Sequence, residues 1–161
     1  MTGLIEREQR TGRLCQTVTA EHLALLPELA KTAMQSKITG AAAAIFTATG
    51  IASSWEQLPS ALKDDVLAGL RRDADGGDVA SLSAAVILGS SIGFSPVEQL
   101  TYAKVFAEKL HLPDSSRTGI VKTMLQQGHV NESELSAKQV QAAISAAQRL
   151  LDAIRAQRKP G

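Results

Sequence analysis

The chain has 161 residues, with 17 lysines and arginines against 16 aspartates and glutamates. This length is enough for one domain with a hydrophobic core, and the near-neutral charge provides no general attraction for nucleic acid or acidic lipid. Aromatic residues make up 3% of the chain, too few for a base-stacking platform or an aromatic-lined ligand groove.

Cysteine usage and hydropathy point to the cytoplasm. Cys15 is the single cysteine, so neither an internal disulfide nor a cysteine-based zinc site can form. The first ten residues are charged and lack the apolar stretch of a secretory signal. The two most apolar runs, 38–52 and 79–94, are shorter than the ~20 residues that cross a bilayer. We therefore expect a cytoplasmic protein without a transmembrane segment.

Alanine is abundant and the strand-forming residues are not clustered, which predicts an all-α protein. We expect a polar N-terminal arm over 1–18 and a single compact domain of about seven helices over 19–161. Pro27 falls inside the first helical pattern, where it should break or restart the helix.

The next predicted helix is the buried stretch "TGAAAAIFTATG". Gly40, Ala44 and Ala48 recur every four residues, which predicts a smooth stripe against which another helix packs closely. Ser53 and Glu56 then form the S-x-x-E pattern of a capping box at the start of a further helix. Pro59 should kink that helix or separate its first turn.

The second half of the chain predicts the same order of elements. "VASLSAAVILGSS" predicts an apolar helix, and Ser95 with Glu98 predicts a second capping box, with Pro at the favoured first helical position. A shorter helix is expected over 114–127, with Gly128 as its C-cap. Ser136 with Gln139 opens a long C-terminal helix over 137–158.

The two halves share this order of elements because they contain a sequence repeat. Residues 42–58 and 84–100 are identical at seven of 17 positions, 42 residues apart. Each copy reads as an apolar helix, a turn and a capped amphipathic helix, which predicts a duplicated αα-hairpin near 38–72 and 79–112. A duplicated scaffold and a duplicated site are both compatible with such a repeat, but the turns lack the carboxylates that a cation site requires.

The pattern resembles the TerB-like domains, a helical family linked to tellurite resistance and found in some co-chaperone and phage-defence proteins. Members tend to duplicate a helical hairpin whose turn reads roughly D-G-x-[IV]-x-P-x-E and whose next helix ends near L-G-L-P. The segments "SIGFSPVE" (91–98) and "KLHLP" (109–113) fit this pattern, and "TGIASSWE" (49–56) keeps its glycine and glutamate. The resemblance implies a helical module of a stress or defence system.

The chain departs from this family at the residues thought to bind metal. Thr49 and Ser91 replace the turn aspartate in the two copies, and Ile92 replaces the second glycine. We therefore expect neither a metal site nor a cofactor.

Other candidate sites are scattered. His22, His111 and His129 have no partner at i+3 or i+4, so capping or surface roles fit them better than metal ligation. No glycine-rich phosphate loop is present. "SSRTG" (115–119) offers an anion site at a helix start, assisted by Arg117, although the carboxylate of Asp114 opposes an anion there.

Cations gather along the C-terminal helix. These cations are Arg149, Arg155, Arg158 and Lys159. They form either a solvated face, favoured by the negative C-terminal end of the helix dipole, or a basic interaction surface. Nucleic-acid contact is the weaker use of the same residues.

The sequence favours a non-enzymatic, cytoplasmic protein-interaction module with a TerB-like fold. An immunity-type or plasmid- or phage-encoded inhibitor that binds and regulates another protein is the alternative. An enzyme or metal binder assembled from distant residues is the third hypothesis. Neither the partner nor the oligomeric state follows from the sequence.

Overall fold

The computed structural model describes residues 20–49, 55–111 and 113–157. Within them the chain forms eight α-helices and no strand, so the all-α prediction is confirmed. The helices are α1 (Ala20–Gln35), α2 (Ala41–Thr49), α3 (Ser60–Asp75), α4 (Val79–Ile87), α5 (Gly89–Ile92), α6 (Pro96–Lys109), α7 (Asp114–Gln127) and α8 (Ala137–Gln157). Short 3₁₀ turns cover Trp55–Gln57 and Glu132–Glu134. The polar arm predicted over 1–18 lies outside the described residues.

Helix α6 lies at the centre of the fold. It packs against α4, α7 and α8, while α3 packs against α4 and α1 packs against α2. Leu70 of α3, Leu82 of α4, Leu100 of α6 and Leu125 of α7 are all fully buried. They belong to one cluster of buried apolar side chains that includes residues from both predicted hairpins. Burial of this shared apolar surface is the main force that holds the described helices together.

Local sequence signals set several helix ends as predicted. The Ser95 hydroxyl accepts a hydrogen bond from the Glu98 amide at 3.2 Å, and the Glu98 carboxylate accepts one from the Ser95 amide at 2.8 Å. Pro96 opens α6, and the same reciprocal bonds join Ser136 and Gln139 before α8. Each box satisfies backbone amides that the first helical turn leaves without partners.

The predicted break at Pro27 is wrong. Helix α1 is continuous from Ala20 to Gln35. A proline removes one intrahelical hydrogen bond, but a helix can continue around it when its other bonds remain.

Of the smooth stripe predicted on α2, Gly40 and Ala44 lie outside the core, and the side chain of Ala48 is not described. The buried residues of this helix are Ala41, Ala42, Ala43, Ile45 and Phe46, whereas Ala44 is exposed. Gly40 and Ala44 instead line an open apolar groove between α2 and α4. Helix α2 packs against α1, α3 and α4.

The two predicted hairpins differ in their second helix. In the second copy the capping box leads directly into α6, whereas in the first copy Trp55–Gln57 form a 3₁₀ turn and α3 begins only at Ser60. Pro59 explains the difference, because it has no amide hydrogen with which to continue a helix from Trp55. The first capping box includes Ser53, outside the described residues, so the duplication stays a prediction.

Candidate functional site

An open cleft lies where the end of α3 meets the start of α6 and the C-terminal half of α8. Its volume is ≈ 660 Å³. We call it the α3–α6–α8 cleft, and its lining consists of Arg72, Asp75, Gly76, Val97, Glu98, Thr101, Tyr102, Ala146, Arg149, Leu150, Ala153 and Gln157.

The floor of the cleft is apolar. Ala146, Leu150 and Ala153 line it from α8, and Val97 lines it from α6. Residues three and four apart share one face of a helix, so the spacing of the α8 residues gives a continuous apolar surface. This floor can receive an apolar side chain but supplies no polar group of its own.

The turn after α3 fixes one rim of the cleft. Gly77 has φ 79°, and a side chain there would meet Ile154 of α8 at 2.8 Å. The Asp78 carboxylate accepts the Ser81 amide at 2.8 Å and caps α4. Buried Asp73 accepts the Gly40 amide at 2.9 Å and thereby ties the end of α3 to the start of α2. These contacts join the end of α3 to the start of α2 and fix the turn into α4 beside Ile154 of α8.

Two arginines of α3 are occupied by carboxylates. The Arg71 guanidinium donates to the Glu98 carboxylate at 3.0 Å and lies over the Phe94 ring, with its central carbon 4.7 Å from the ring centroid. Arg72 forms an ion pair with the buried Asp73 at 2.8 Å. Because Asp73 is almost fully buried, its charge requires this partner.

The contacts of Glu98 keep it ionised. Partial burial alone raises the pKa of its carboxyl, but hydrogen bonds from the Ser95 amide and hydroxyl and from Arg71 outweigh burial. The pKa of Glu98 therefore lies below its usual range, and the carboxylate is committed to its own helix cap and to Arg71.

Asp75 is different, because its described hydrogen-bond partner is uncharged. The Tyr102 hydroxyl donates to the Asp75 carboxylate at 3.1 Å. Burial against α6 raises the pKa of Asp75, and the Tyr102 hydrogen bond and the nearby Arg71 offset this rise only in part. Burial and the Asp75 carboxylate together raise the pKa of Tyr102, so its hydroxyl remains a donor. Asp75 makes no ion pair within the described part of the chain.

Arg149 lines the same cleft as Asp75 and carries the opposite charge. It is exposed at the α8 side of the cleft, and its guanidinium has no ion-pair partner among the described residues. The carboxylate of Asp152, one turn further along α8, instead accepts from Gln148 at 3.0 Å and from Arg155 at 3.3 Å. The cleft thus carries one carboxylate and one guanidinium without a charged partner.

The structure describes two of the four cations proposed as an interaction surface and places them in different clefts. Arg149 lines the α3–α6–α8 cleft, while Arg155 lines a second cleft with Lys109 and His111, next to the start of α4. Six residues along an α-helix correspond to about 1.7 turns, which places the two arginines about 120° apart around α8. Arg158 and Lys159 lie outside the described residues.

The remaining sequence candidates do not converge on a second site. His111 and His129 are exposed residues with φ 53° and 57° directly after the C-caps of α6 and α7, which fits capping roles. Arg117 of the proposed anion site pairs with the carboxylates of Glu108 and Asp114. The Cys15 segment and the His22 side chain are not described, and the described residues contain no cluster of three His, Cys, Asp or Glu suited to a metal ion.

Sequence reasoning missed Asp75 and Tyr102. Asp75 lies in the glycine-rich stretch "DADGGD" (73–78), which by itself indicates only a turn, and Tyr102 is the one tyrosine of the chain. A buried tyrosine usually finds a partner for its hydroxyl, and this was the available signal. The partner itself was not predictable, because 27 residues separate the two positions and only the packing of α3 beside α6 joins them.

Comparisons with known proteins do not assign the chain to a family. No family model matches the chain, and no curated protein or solved structure is significantly similar to it. The TerB-like resemblance therefore stays a prediction. In the described part of the chain, no helix combines the length and the apolar character needed to span a membrane.

Proposed function

We propose that this protein is a non-enzymatic interaction module that binds a segment of another protein in the α3–α6–α8 cleft. One observation carries the proposal: an open, apolar-floored cleft is bordered by Asp75 and Arg149, two opposite charges without charged partners in the described residues. Charged groups left unpaired beside apolar surface are suited to complementary groups on a partner.

The shape of the cleft favours a protein segment over a small molecule. Small ligands bind in concave pockets that enclose most of their surface. This cleft is open, so a macromolecular segment can lie along it while a small molecule would remain largely solvated. Helical grooves that take an apolar anchor from a partner use the same arrangement.

The hydroxyl groups of the cleft support a binding role rather than catalysis. Tyr102 donates to Asp75, and Thr101 donates to the Val97 carbonyl at 2.8 Å. Neither hydroxyl is paired with a histidine, so the lining offers no nucleophile activated by such a base. Both hydroxyls instead hold neighbouring groups in place.

Two wider expectations accompany this proposal. A cytoplasmic location is supported by the single cysteine. A role in a stress or tellurite-resistance system is supported by the TerB-like sequence pattern. The inhibitor hypothesis uses the same cleft and differs only in what the partner does.

A site-directed crosslinking experiment tests the proposal. A photoreactive amino acid replaces Gln157, which lines the cleft, or Gln141, which lies exposed at the far end of α8. In the native host, we expect a specific protein adduct from position 157 and none from position 141. The Ala153→Trp substitution should abolish the adduct because the indole would fill the cleft.

The matched control is Ala137→Trp, which makes the same substitution at an exposed position at the far end of α8, outside the cleft lining. It should leave the adduct intact. Equal adducts from both crosslinker positions, or an adduct that survives Ala153→Trp, would show that the cleft is not the binding site.

A further inference from the structure

The charges of the α3–α6–α8 cleft specify what a partner must supply, provided that the proposed function is correct. Four charged residues line the cleft: Arg72, Asp75, Glu98 and Arg149. Arg72 is paired with Asp73, and Glu98 with Arg71. The other two, Asp75 and Arg149, remain for a ligand.

Asp75 is suited to a basic group. A carboxylate has about four acceptor positions, and in the described residues Asp75 uses one, for the Tyr102 hydroxyl at 3.1 Å. Arg71 is near enough to lower the pKa of Asp75, but it is held by Glu98, by the Phe94 ring and by the Gly93 carbonyl at 3.4 Å. A lysine or arginine from outside would therefore complete the hydrogen bonding of Asp75.

Arg149 is suited to an acidic group. Its own helix offers Asp152 three residues away, but that carboxylate accepts from Gln148 and Arg155. A guanidinium presents a planar fork of donors that matches a carboxylate in two parallel hydrogen bonds. An aspartate or glutamate of a partner would meet this fork without displacing an internal contact.

The apolar floor joins the two charges. Ala146, Leu150 and Ala153 provide a smooth aliphatic surface on which one apolar side chain can be buried. We propose that the cleft recognises a protein segment in which an apolar residue is flanked by a basic residue, bound by Asp75, and an acidic residue, bound by Arg149.

Other macromolecules fit this pattern less well. The carboxylates of Asp75 and Glu98 would repel the phosphates of nucleic acid, and the aliphatic floor provides no aromatic surface for base stacking. A segment with two charges of opposite sign satisfies both rims of the cleft at once. Pairing at the polar rim sets specificity, while the apolar anchor supplies most of the buried area.

The test is a selection of random 12-residue peptides displayed on phage, using the full chain as the target. We expect enriched peptides to combine a basic and an acidic residue around an apolar one. The most enriched peptide is then synthesised with a fluorescent label, together with versions in which the basic residue or the acidic residue is replaced by glutamine. Affinities are measured by fluorescence anisotropy.

A double-mutant cycle assigns each charge. Asp75→Asn should weaken the parent peptide by about fivefold or more, and should have little effect on the version without its basic residue. Arg149→Gln should behave in the same way towards the acidic residue. Asp64→Asn and Lys138→Gln, at exposed positions outside the cleft, should not change affinity.

The location of each peptide separates this inference from the proposed function. Peptides that lose binding in Ala153→Trp but not in Asp75→Asn or Arg149→Gln would overturn the charge pattern and leave the cleft as the binding site. Peptides whose affinity is unchanged in Ala153→Trp bind elsewhere, and this outcome would count against both proposals.

Discussion

Asp75 illustrates how partial burial of a carboxylate can lower the stability of the fold. Its carboxyl is partly buried against α6, and burial raises its pKa despite the hydrogen bond from Tyr102 and the proximity of Arg71. A raised pKa means that the folded protein holds the ionised form less favourably than the unfolded chain does. Such groups are common where a protein prepares a charge for a partner.

The sign of this effect gives a pH-dependent prediction for Asp75→Asn. Above the raised pKa of Asp75, the ionised carboxylate lowers the free energy of unfolding, and asparagine removes the charge while keeping an acceptor for Tyr102. The variant should therefore be slightly more stable than the wild type at pH 7. The difference should shrink as the pH falls through the raised pKa towards the usual value of 3.8, where Asp75 becomes neutral in both states.

Urea unfolding followed by helical circular dichroism at several pH values between about 3 and 7 measures this difference. Asp64→Asn, at an exposed position of the same helix, is the control. A variant less stable than wild type at pH 7 would mean that ionised Asp75 stabilises the fold, contrary to the effect assigned to its burial.

At the scale of helices, the sequence predicted ends that depend on local contacts. The capping boxes at Ser95 and Ser136 form as predicted, and helix α7 covers the predicted residues 114–127. These features involve atoms within one turn of each other, so a short window of sequence contains the information. The effect of Pro59 is also local, because the hydrogen bond that its missing amide hydrogen cannot form would lie within its own helical turn.

The sequence did not predict features that depend on distant contacts. The apolar segment expected as one helix is divided into α4 and the short helix α5, which begins at Gly89. A side chain at Gly89 would meet Gln99 at 2.4 Å, and buried Gln99 donates to Ser90 at 3.1 Å and to the Phe94 carbonyl at 3.2 Å. This arrangement arises from the packing of α5 on α6, which no local pattern specifies.

Gly128 provides a direct test of close packing between helices. It follows α7, and a side chain there would lie 2.1 Å from the Val86 carbonyl oxygen of α4 and 2.9 Å from the Gln99 amide oxygen. Gly128→Ala should therefore destabilise the protein by about 1–3 kcal/mol, the usual range for overpacking. Because the obstructing Val86 atom is backbone, the clash cannot be relieved by a side-chain rotation.

Gly119→Ala is the matched control, since it makes the same substitution within α7 at a position where nothing lies within 4 Å. It should stabilise the protein by about 0.5–1 kcal/mol, because alanine favours a helix over glycine. Urea unfolding of both variants measures the contrast. Equal effects of the two substitutions would contradict the close approach of α7 to α4.

For the whole molecule, the sequence predicted the class of fold better than the candidate site. Alanine content and helical periodicity are summed over many residues, so the all-α class follows even where single positions are misjudged. The cleft depends on Asp75, Tyr102 and Arg149, which come from three helices. Only Arg149 was a candidate, because charge on one helix is visible in the sequence and the convergence of three helices is not.

The shared core predicts that both halves of the protein unfold together. Leu100 of α6 is fully buried, and Leu100→Ala should cost about 2–5 kcal/mol. Trp55, the single tryptophan, is buried in the other half and stacks on Phe46 with ring centroids 5.7 Å apart. Its fluorescence should therefore report a destabilisation that originates in α6.

Two probes decide the question. In urea unfolding of Leu100→Ala, the transitions seen by Trp55 fluorescence and by helical circular dichroism should shift together to lower urea, as expected for one cooperative domain. Leu29→Ala, at a position 59% exposed, should change stability by no more than about 0.5 kcal/mol. A fluorescence transition that stays in place while the dichroism shifts would show that the two hairpins unfold independently. The α3–α6–α8 cleft would then join two separately stable parts, because α3 belongs to one hairpin and α6 to the other.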